Sequence, residues 1–224
     1  RDSDINTYIP AMEMLVERGY YAVRMGSVVK HVLETSNERI IDYATNGART
    51  DFLDIYLGAK CRFFIGSAAG ITELPKIFRR PILSVNQIPM EWTHTWGPQD
   101  LFIPKKLWLK SEARYLTFQE ILDSGVGAGL LGSQYDELGI DPIENTPEEI
   151  TTAVLEMEQR INGEWCSTAE HEEMQERFWG LFDNLQINTR GGEPLHGVIA
   201  SRIGSEFLCC NRDLLDREPS WSPS

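Results

Sequence analysis

The sequence predicts an α/β fold: a Rossmann-like, doubly wound parallel sheet followed by C-terminal helices. Three observations point there. Residues 61–86, CRFFIGSAAGITELPKIFRRPILSVN, read as strand, small-residue turn, helix, strand. Helix and strand signals alternate at short intervals from residue 4 to residue 85, the pattern of a parallel sheet with crossover helices. The strand segments are short apolar runs, as expected for strands buried on both faces.

In order along the chain, Ser3 or Asp4 can cap a first amphipathic helix, with Tyr8, Met12, Leu15 and Val16 at helical spacing and Gly19 as its end. Residues 20–25, YYAVRM, form the next strand, closed by Gly26. A helix leading into a buried strand normally follows a partner strand. The expectation is therefore a first strand upstream of Arg1. Residues 27–34 read as a short helix or loop, and 39–43 as a strand. Thr50 or Asp51 caps a helix over 51–57 that Gly58 closes. The central strand is 62–65. The next helix runs over 71–78, and Pro81 leads into a strand over 82–85.

Residues 89–106 read as an aromatic-rich loop with Trp92, His94 and Trp96. It either covers a ligand or hides a satellite hydrophobic cluster. Thr117 and Glu120 form a capping box for a helix to Asp123. Gly127, Gly129 and Gly132 match GxGxxG, but they follow a helix, where a dinucleotide fingerprint follows a strand. They are read as a flexible loop. Residues 138–145 form a short edge strand in which Pro142 is tolerable. Thr146-Pro147-Glu148-Glu149 starts a helix to about Ile161, with Ile150, Val154, Met157 and Ile161 inward and Asn162-Gly163 as its stop. A further helix spans 168–182, a polar loop 188–196, and a last helix or turn-and-helix 199–215. The organisation read is a sheet domain over 1–163, a helical segment over 164–215 packing back on it, and a disordered tail over 216–224.

The turn Gly66-Ser67-Ala68-Ala69-Gly70 carries the main functional expectation. Small residues let a ligand approach the backbone, and N–H groups at a helix start together with the helix dipole favour an anion. The turn either holds the phosphate of a nucleotide or is only a tight strand-to-helix connection. Arg1 and Arg24 map to the same carboxyl edge of the sheet, where ligands of doubly wound sheets bind. Guanidinium groups grip phosphate oxygens bidentately. Arg24 alternatively pairs with a neighbouring aspartate. Arg79 and Arg80 precede a strand and fall at the opposite edge. Glu73 either accepts hydrogen bonds from a ribose diol or stabilises its own helix start. Asp4 lies near the site edge, and a capping role also explains it.

Several classes are excluded. The 224-residue chain has a formal net charge of −13, the wrong sign for a general nucleic-acid surface. Four scattered cysteines form no disulfide framework and no zinc spacing, so reduced thiols and a cytoplasmic location are expected. No apolar run approaches the about 20 residues of a membrane span. No GxSxG, Walker lysine or HExxH motif occurs, and His31, His94 and His196 are isolated.

The segments RDSDINTYIPAMEMLVERGYYAVRMG, IIDYA, RTDFLDIYLGAKCRFFIG, ENTPEEI and LHGVIASRIGSEFL together resemble a bacterial glycosyltransferase family of surface-polysaccharide and glycan contexts. The central unit is also similar to heptosyltransferases of the two-domain GT-B type, which carry Ser-Gly-x-x-His after a strand. Here Ala69 and Glu73 replace the serine and the histidine. The resemblance implies the C-terminal half of a GT-B fold that binds a nucleotide-sugar donor as substrate, with no separate cofactor and no metal. Its diphosphate would sit on the 66–70 turn, with Arg1 and Arg24 stabilising the leaving group. It further implies a glycan or lipid-linked acceptor and a position in the cytoplasm or peripheral to the inner face of the membrane. Competing readings are a non-catalytic nucleotide- or glycan-binding module and a Rossmann-type redox enzyme or nucleotide-sugar epimerase.

Overall fold

The computed structural model of the chain describes residues 3–67, 69–129, 132–182 and 199–216. Arg1, Ala68, the 188–196 loop and the tail from residue 217 lie outside the described residues.

The Asp4 carboxylate accepts the Asn6 amide at 3.0 Å and so caps a 3-10 turn, Ile5–Tyr8. The turn continues into α1, Ile9–Glu17, with Pro10 in the first turn where its missing N–H costs nothing. Gly19, at φ 95°, reverses the chain. Two short strands follow, β1 (Ala22–Val23) and β2 (Ile40–Ile41), paired in parallel. Residues 27–34 take no regular structure. Thr50 caps α2, Asp51–Lys60, through the Leu53 amide at 3.1 Å. The helix does not stop at Gly58. Gly58 is buried within it, and a Cβ there would meet Leu74 Cβ at 3.1 Å, so the glycine serves close helix packing.

β3 (Phe64–Gly66) then leads to a 3-10 turn, Gly70–Thr72, and to α3, Glu73–Ile77. The helix expected over 71–78 is thus only five residues of α-helix behind one 3-10 turn. β4 (Ile82–Gln87) pairs with β3 in parallel, Phe64 opposite Ile82 and Gly66 opposite Ser84.

The stretch 89–106 is not a loop throughout. After a 3-10 turn at Met90–Trp92 it contains β5, Leu101–Pro104, which is no more than 2% exposed at Leu101, Phe102 and Ile103. Its aromatic neighbours obscured a four-residue apolar run that fits a buried parallel strand. β6 (Lys106–Leu109) and β7 (Arg114–Tyr115) follow, then α4 (Phe118–Asp123), with both arms of the Thr117–Glu120 capping box formed. α5 is Gly132–Glu137 and β8 is Ile140–Ile143. α6, Pro147–Asn162, has its Thr146–Glu149 capping box and ends at Gly163, φ 73°. α7 is Ala169–Gly180. The last segment, expected as a helix or turn-and-helix, first supplies β9 (Arg202–Ile203) and only then α8 (Ser205–Cys210).

The fold is α/β, with a four-stranded parallel sheet, β3-β4-β5-β9, compatible with a Rossmann-like arrangement. β1-β2 stands as a separate parallel pair, and β7-β6-β8 is an antiparallel sheet with β8 at its edge. Ile150, Val154 and Met157 of α6 are fully buried. Phe178 of α7 packs edge-on against Phe118 at 5.2 Å and against Phe102 of β5 at 5.9 Å, so the segment after Gly163 shares the core of the sheet.

The ends of β4 and β5 are tied to α6 by two buried asparagines. The Asn86 amide donates to Asn145 Oδ1, the Asn145 amide donates to Asn86 Oδ1, both at 2.6 Å, and Asn145 Nδ2 donates to the Pro104 carbonyl at 2.9 Å. Asn86 sits at φ 53°, a left-handed conformation that asparagine tolerates better than most residues. Asn145→Ala leaves the Asn86 N–H and the Pro104 C=O without these partners. Each orphaned group costs about 1–3 kcal/mol, so urea unfolding is expected to show a loss of about 2–6 kcal/mol.

Candidate functional site

The open edges of β1 and β3 flank a cleft of about 1200 Å³, roofed by α1. The two strands run the same way. At their starts, Tyr20 and Phe63 meet edge-on with centroids 6.4 Å apart, and Tyr20 and Arg62 both bond Asn162. At their ends, Arg24 and Gly26 follow β1, Gly66 and Ser67 close β3, and all four line the cleft with Asp4 and Ala69. The site therefore lies at the carboxyl edge of parallel strands, where α/β sheets bind ligands.

Six of the ten residues singled out in the sequence come together here. Arg1 and Ala68 are outside the described residues. Gly70 is exposed and does not line the cleft, and a Cβ there meets nothing. Glu73 faces elsewhere. Its half-exposed carboxylate accepts from Lys76 Nζ at 2.7 Å, and that ammonium lies against the His94 ring. Burial and then the Lys76 charge hold His94 below its ordinary pKa, so its ring accepts from Lys76 as a neutral group near pH 7. Trp92 and Trp96 are exposed beside it, while Met90, Thr93 and Thr95 of the same segment are buried.

Arg24 is 8% exposed, and its Nη1 donates to the His31 carbonyl at 2.6 Å and to Asp42 Oδ2 at 3.2 Å. Asp42 also accepts the Leu33 amide at 2.9 Å and the Thr45 hydroxyl at 2.8 Å. Burial alone raises the Asp42 pKa, but these donors and the Arg24 charge outweigh it and hold the carboxyl below its usual range. The aspartate partner considered from the sequence is thus present, and it orients the guanidinium at the cleft wall.

The turn is partly bonded to itself. The Ser67 carbonyl accepts the Ala69 amide at 2.7 Å and the Thr72 hydroxyl at 2.9 Å. The Ala69 N–H is therefore already used, against the expectation of a row of free amides. The Gly70 and Ile71 N–H groups meet no acceptor among the described residues. Gly66 must be small, since a Cβ would lie 2.8 Å from Phe64 Cε1 and 3.0 Å from Thr72 Oγ1.

The cleft also takes in Lys30, Lys60, Tyr8 and Glu144, none of which the sequence pointed to. Lys60 reads as the usual cation in a helix's last turn, and Tyr8 as part of an apolar stripe. Its hydroxyl, buried between Ser3 and Asn86, is pushed above its ordinary pKa mainly by desolvation. Gly127 packs against the buried carboxylate of Glu91, with a Cβ there 2.7 Å from its Oε1, so that glycine serves packing. Among the described residues no group of three His, Cys, Asp or Glu is placed to hold a metal, and no helix is long and apolar enough to cross a membrane.

The chain matches no family model, no curated protein and no solved structure. The site therefore stands on its own geometry. Two glycine substitutions separate a built turn from a merely small-residue one. Gly66→Ala forces Phe64 or Thr72 to move and is expected to cost about 1–3 kcal/mol, whereas Gly70→Ala is expected to stay within about 0.5 kcal/mol of the parent. Parallel denaturant melts read both.

Proposed function

We propose that this chain is the nucleotide-sugar-binding half of a glycosyltransferase of GT-B type. The donor diphosphate lies at the mouth of the cleft, between the Arg24–Gly26 end of one strand and the Gly66–Ser67 end of the other. The observation that carries the reading is the meeting of these two strand ends in one crevice at a sheet's carboxyl edge. Gly66 lets phosphate oxygens approach the backbone, and the Ile71 amide on the cleft lining supplies a donor. Arg24, held by Asp42 and the His31 carbonyl, presents an oriented guanidinium, with Arg1 as its second cation. Asp4, on the cleft lining, is the acceptor for hydroxyls of the donor; Glu73, engaged by Lys76 outside the cleft, takes no part.

In transfer, the bond between the sugar's anomeric carbon and the diphosphate oxygen breaks, and an acceptor hydroxyl forms the new bond. Charge grows on the departing diphosphate, and fixed donors at that oxygen stabilise it without reorganising. The acceptor is a glycan or a lipid-linked glycan, and the base that takes its proton belongs to the other half of such an enzyme. One observation favours a second reading, a non-catalytic nucleotide-binding module. Asp42 balances the Arg24 charge, which weakens its pull on a leaving group.

The test is calorimetric titration with UDP, GDP, CDP and ADP, each with its nucleoside as control. One diphosphate is expected to bind while its nucleoside does not, and Arg24→Met is expected to weaken it by about 10- to 100-fold, the cost of about 1.5–3 kcal/mol for a lost charged hydrogen bond. Circular dichroism verifies that the variant is folded. No binding by any of the four at millimolar concentration rejects the donor reading. Binding without sugar transfer or donor hydrolysis in a two-domain protein carrying this chain selects the module.

A further inference from the structure

We propose that the interior of the cleft is a slot for one more parallel β-strand between β1 and β3, and that its occupant is an extended apolar stretch of the polypeptide joined ahead of Asp4. This inference is independent of the donor reading.

The backbone argues first. Consecutive N–H groups of a strand point to opposite sides. The Ala22 and Arg24 amides donate to Arg39 and Ile41 on the β2 side, so the Val23 amide projects the other way. The Phe64 amide donates to Pro81 beside β4, so the Phe63 and Ile65 amides also project the other way. Both open edges line the same cleft, and neither β1 nor β3 has a second neighbour among the described residues. Two parallel edges exposed toward each other are matched by one strand that hydrogen-bonds to both.

Size and polarity agree. Ligand sites usually span about 300–1,000 Å³, and this cleft is larger, about 1200 Å³. A five-residue strand about 17 Å long, in one 4.8 Å lane of a layer about 10 Å thick, takes about 800 Å³. Ala11, Met12 and Leu15 of α1 form an apolar roof, with Val23, Phe64 and Ile65 beside them. All residues of β1 and β3 are only half-buried, whereas β4 and β5 are buried almost throughout. That contrast is what an absent central strand leaves behind.

Connectivity names the occupant. With the slot filled, the parallel strands run β2-β1-slot-β3-β4-β5-β9. Numbered from the slot strand, the first six follow the order 3-2-1-4-5-6 of a doubly wound sheet, with the slot at the switch point and β9 added at the far edge. A strand there reaches its parallel neighbour β1 only through a crossover, which is right-handed and usually helical. α1 already occupies the crossover position, packed over the cleft and leading into β1. The strand that fills the slot is therefore the one that continues into the turn capped by Asp4.

The experiment fuses Val-Ile-Val-Ile-Val-Gly ahead of Arg1 and follows amide hydrogen exchange at Val23 and Ile65 by NMR, in the chain as it stands and in the fusion. A second fusion, Val-Ala-Val-Ala-Val-Gly, guards against overpacking, and a Ser/Asn hexapeptide is the negative control. Fast exchange in the unfused chain, and at least 100-fold slower exchange at both amides in an apolar fusion at every protein concentration, is the expected result. Protection already present in the unfused chain overturns the proposal, and so does fast exchange in both apolar fusions. Protection of the unfused chain that grows with its concentration assigns the slot to a second copy and overturns the occupant named here.

Discussion

The reciprocal exchange of amides between Asn86 and Asn145 is the constraint on which the carboxyl edge of the sheet depends. It holds a left-handed residue at the register shift near the end of β4, captures the last carbonyl of β5 and holds the start of α6 against both. Without it, a parallel strand would leave polar backbone groups buried where no ladder partner follows. The same Asn86 reaches the Tyr8 hydroxyl, so the 3-10 turn that begins the described chain is tied to the same edge. Ser3, Asp4 and Glu144 gather there as a consequence.

On this edge the polar groups are held in place by one another. Asp42 receives an amide, a hydroxyl and the Arg24 guanidinium, which keeps it ionised and keeps the arginine in one orientation. The 66–70 turn spends one amide and one hydroxyl on the Ser67 carbonyl, which sets the path of the backbone into α3. Such preorganisation suits recognition of a fixed anion, because no entropy is lost in assembling the donors when it arrives. It also limits the net charge on offer, since Arg24 is matched by Asp42 within a strongly acidic protein.

The sequence was legible where local chemistry decides the backbone. The Thr117 and Thr146 capping boxes, the Thr50 cap, the small-residue turn after β3 and the strand after Pro81 all lie where residue types placed them. It was not legible where long-range pairing decides. Leu101–Pro104 is too short to be told from a loop until β4 lies beside it, and Arg202–Ile203 becomes a strand only because β5 offers an edge. Gly58 looked like a helix end because packing against Leu74 leaves no trace in its own neighbourhood. At the site, Arg24, Gly26 and Gly66 were found from their positions at strand ends. Glu73 was not excluded, because its partner Lys76 competes with any ligand role only once α3 is built. The aspartate partner of Arg24 was expected, but only the pairing of β1 with β2 places Asp42 in that role, and Lys60 escaped notice because a base at a helix end is ordinary.

Everything at this edge turns on β1 and β3 running parallel across a lane of the sheet that no described residue fills. A cysteine pair at Val23 and Ile65, in a chain whose four native cysteines are serines, tests it directly under mild oxidation. Disulfides need Cα atoms within about 7 Å, and strands with one lane between them lie about 9.6 Å apart. Peptide mass analysis is predicted to find both thiols free. Quantitative formation of the Val23→Cys–Ile65→Cys disulfide would mean that the two strands pair directly, and that there is no cleft between them.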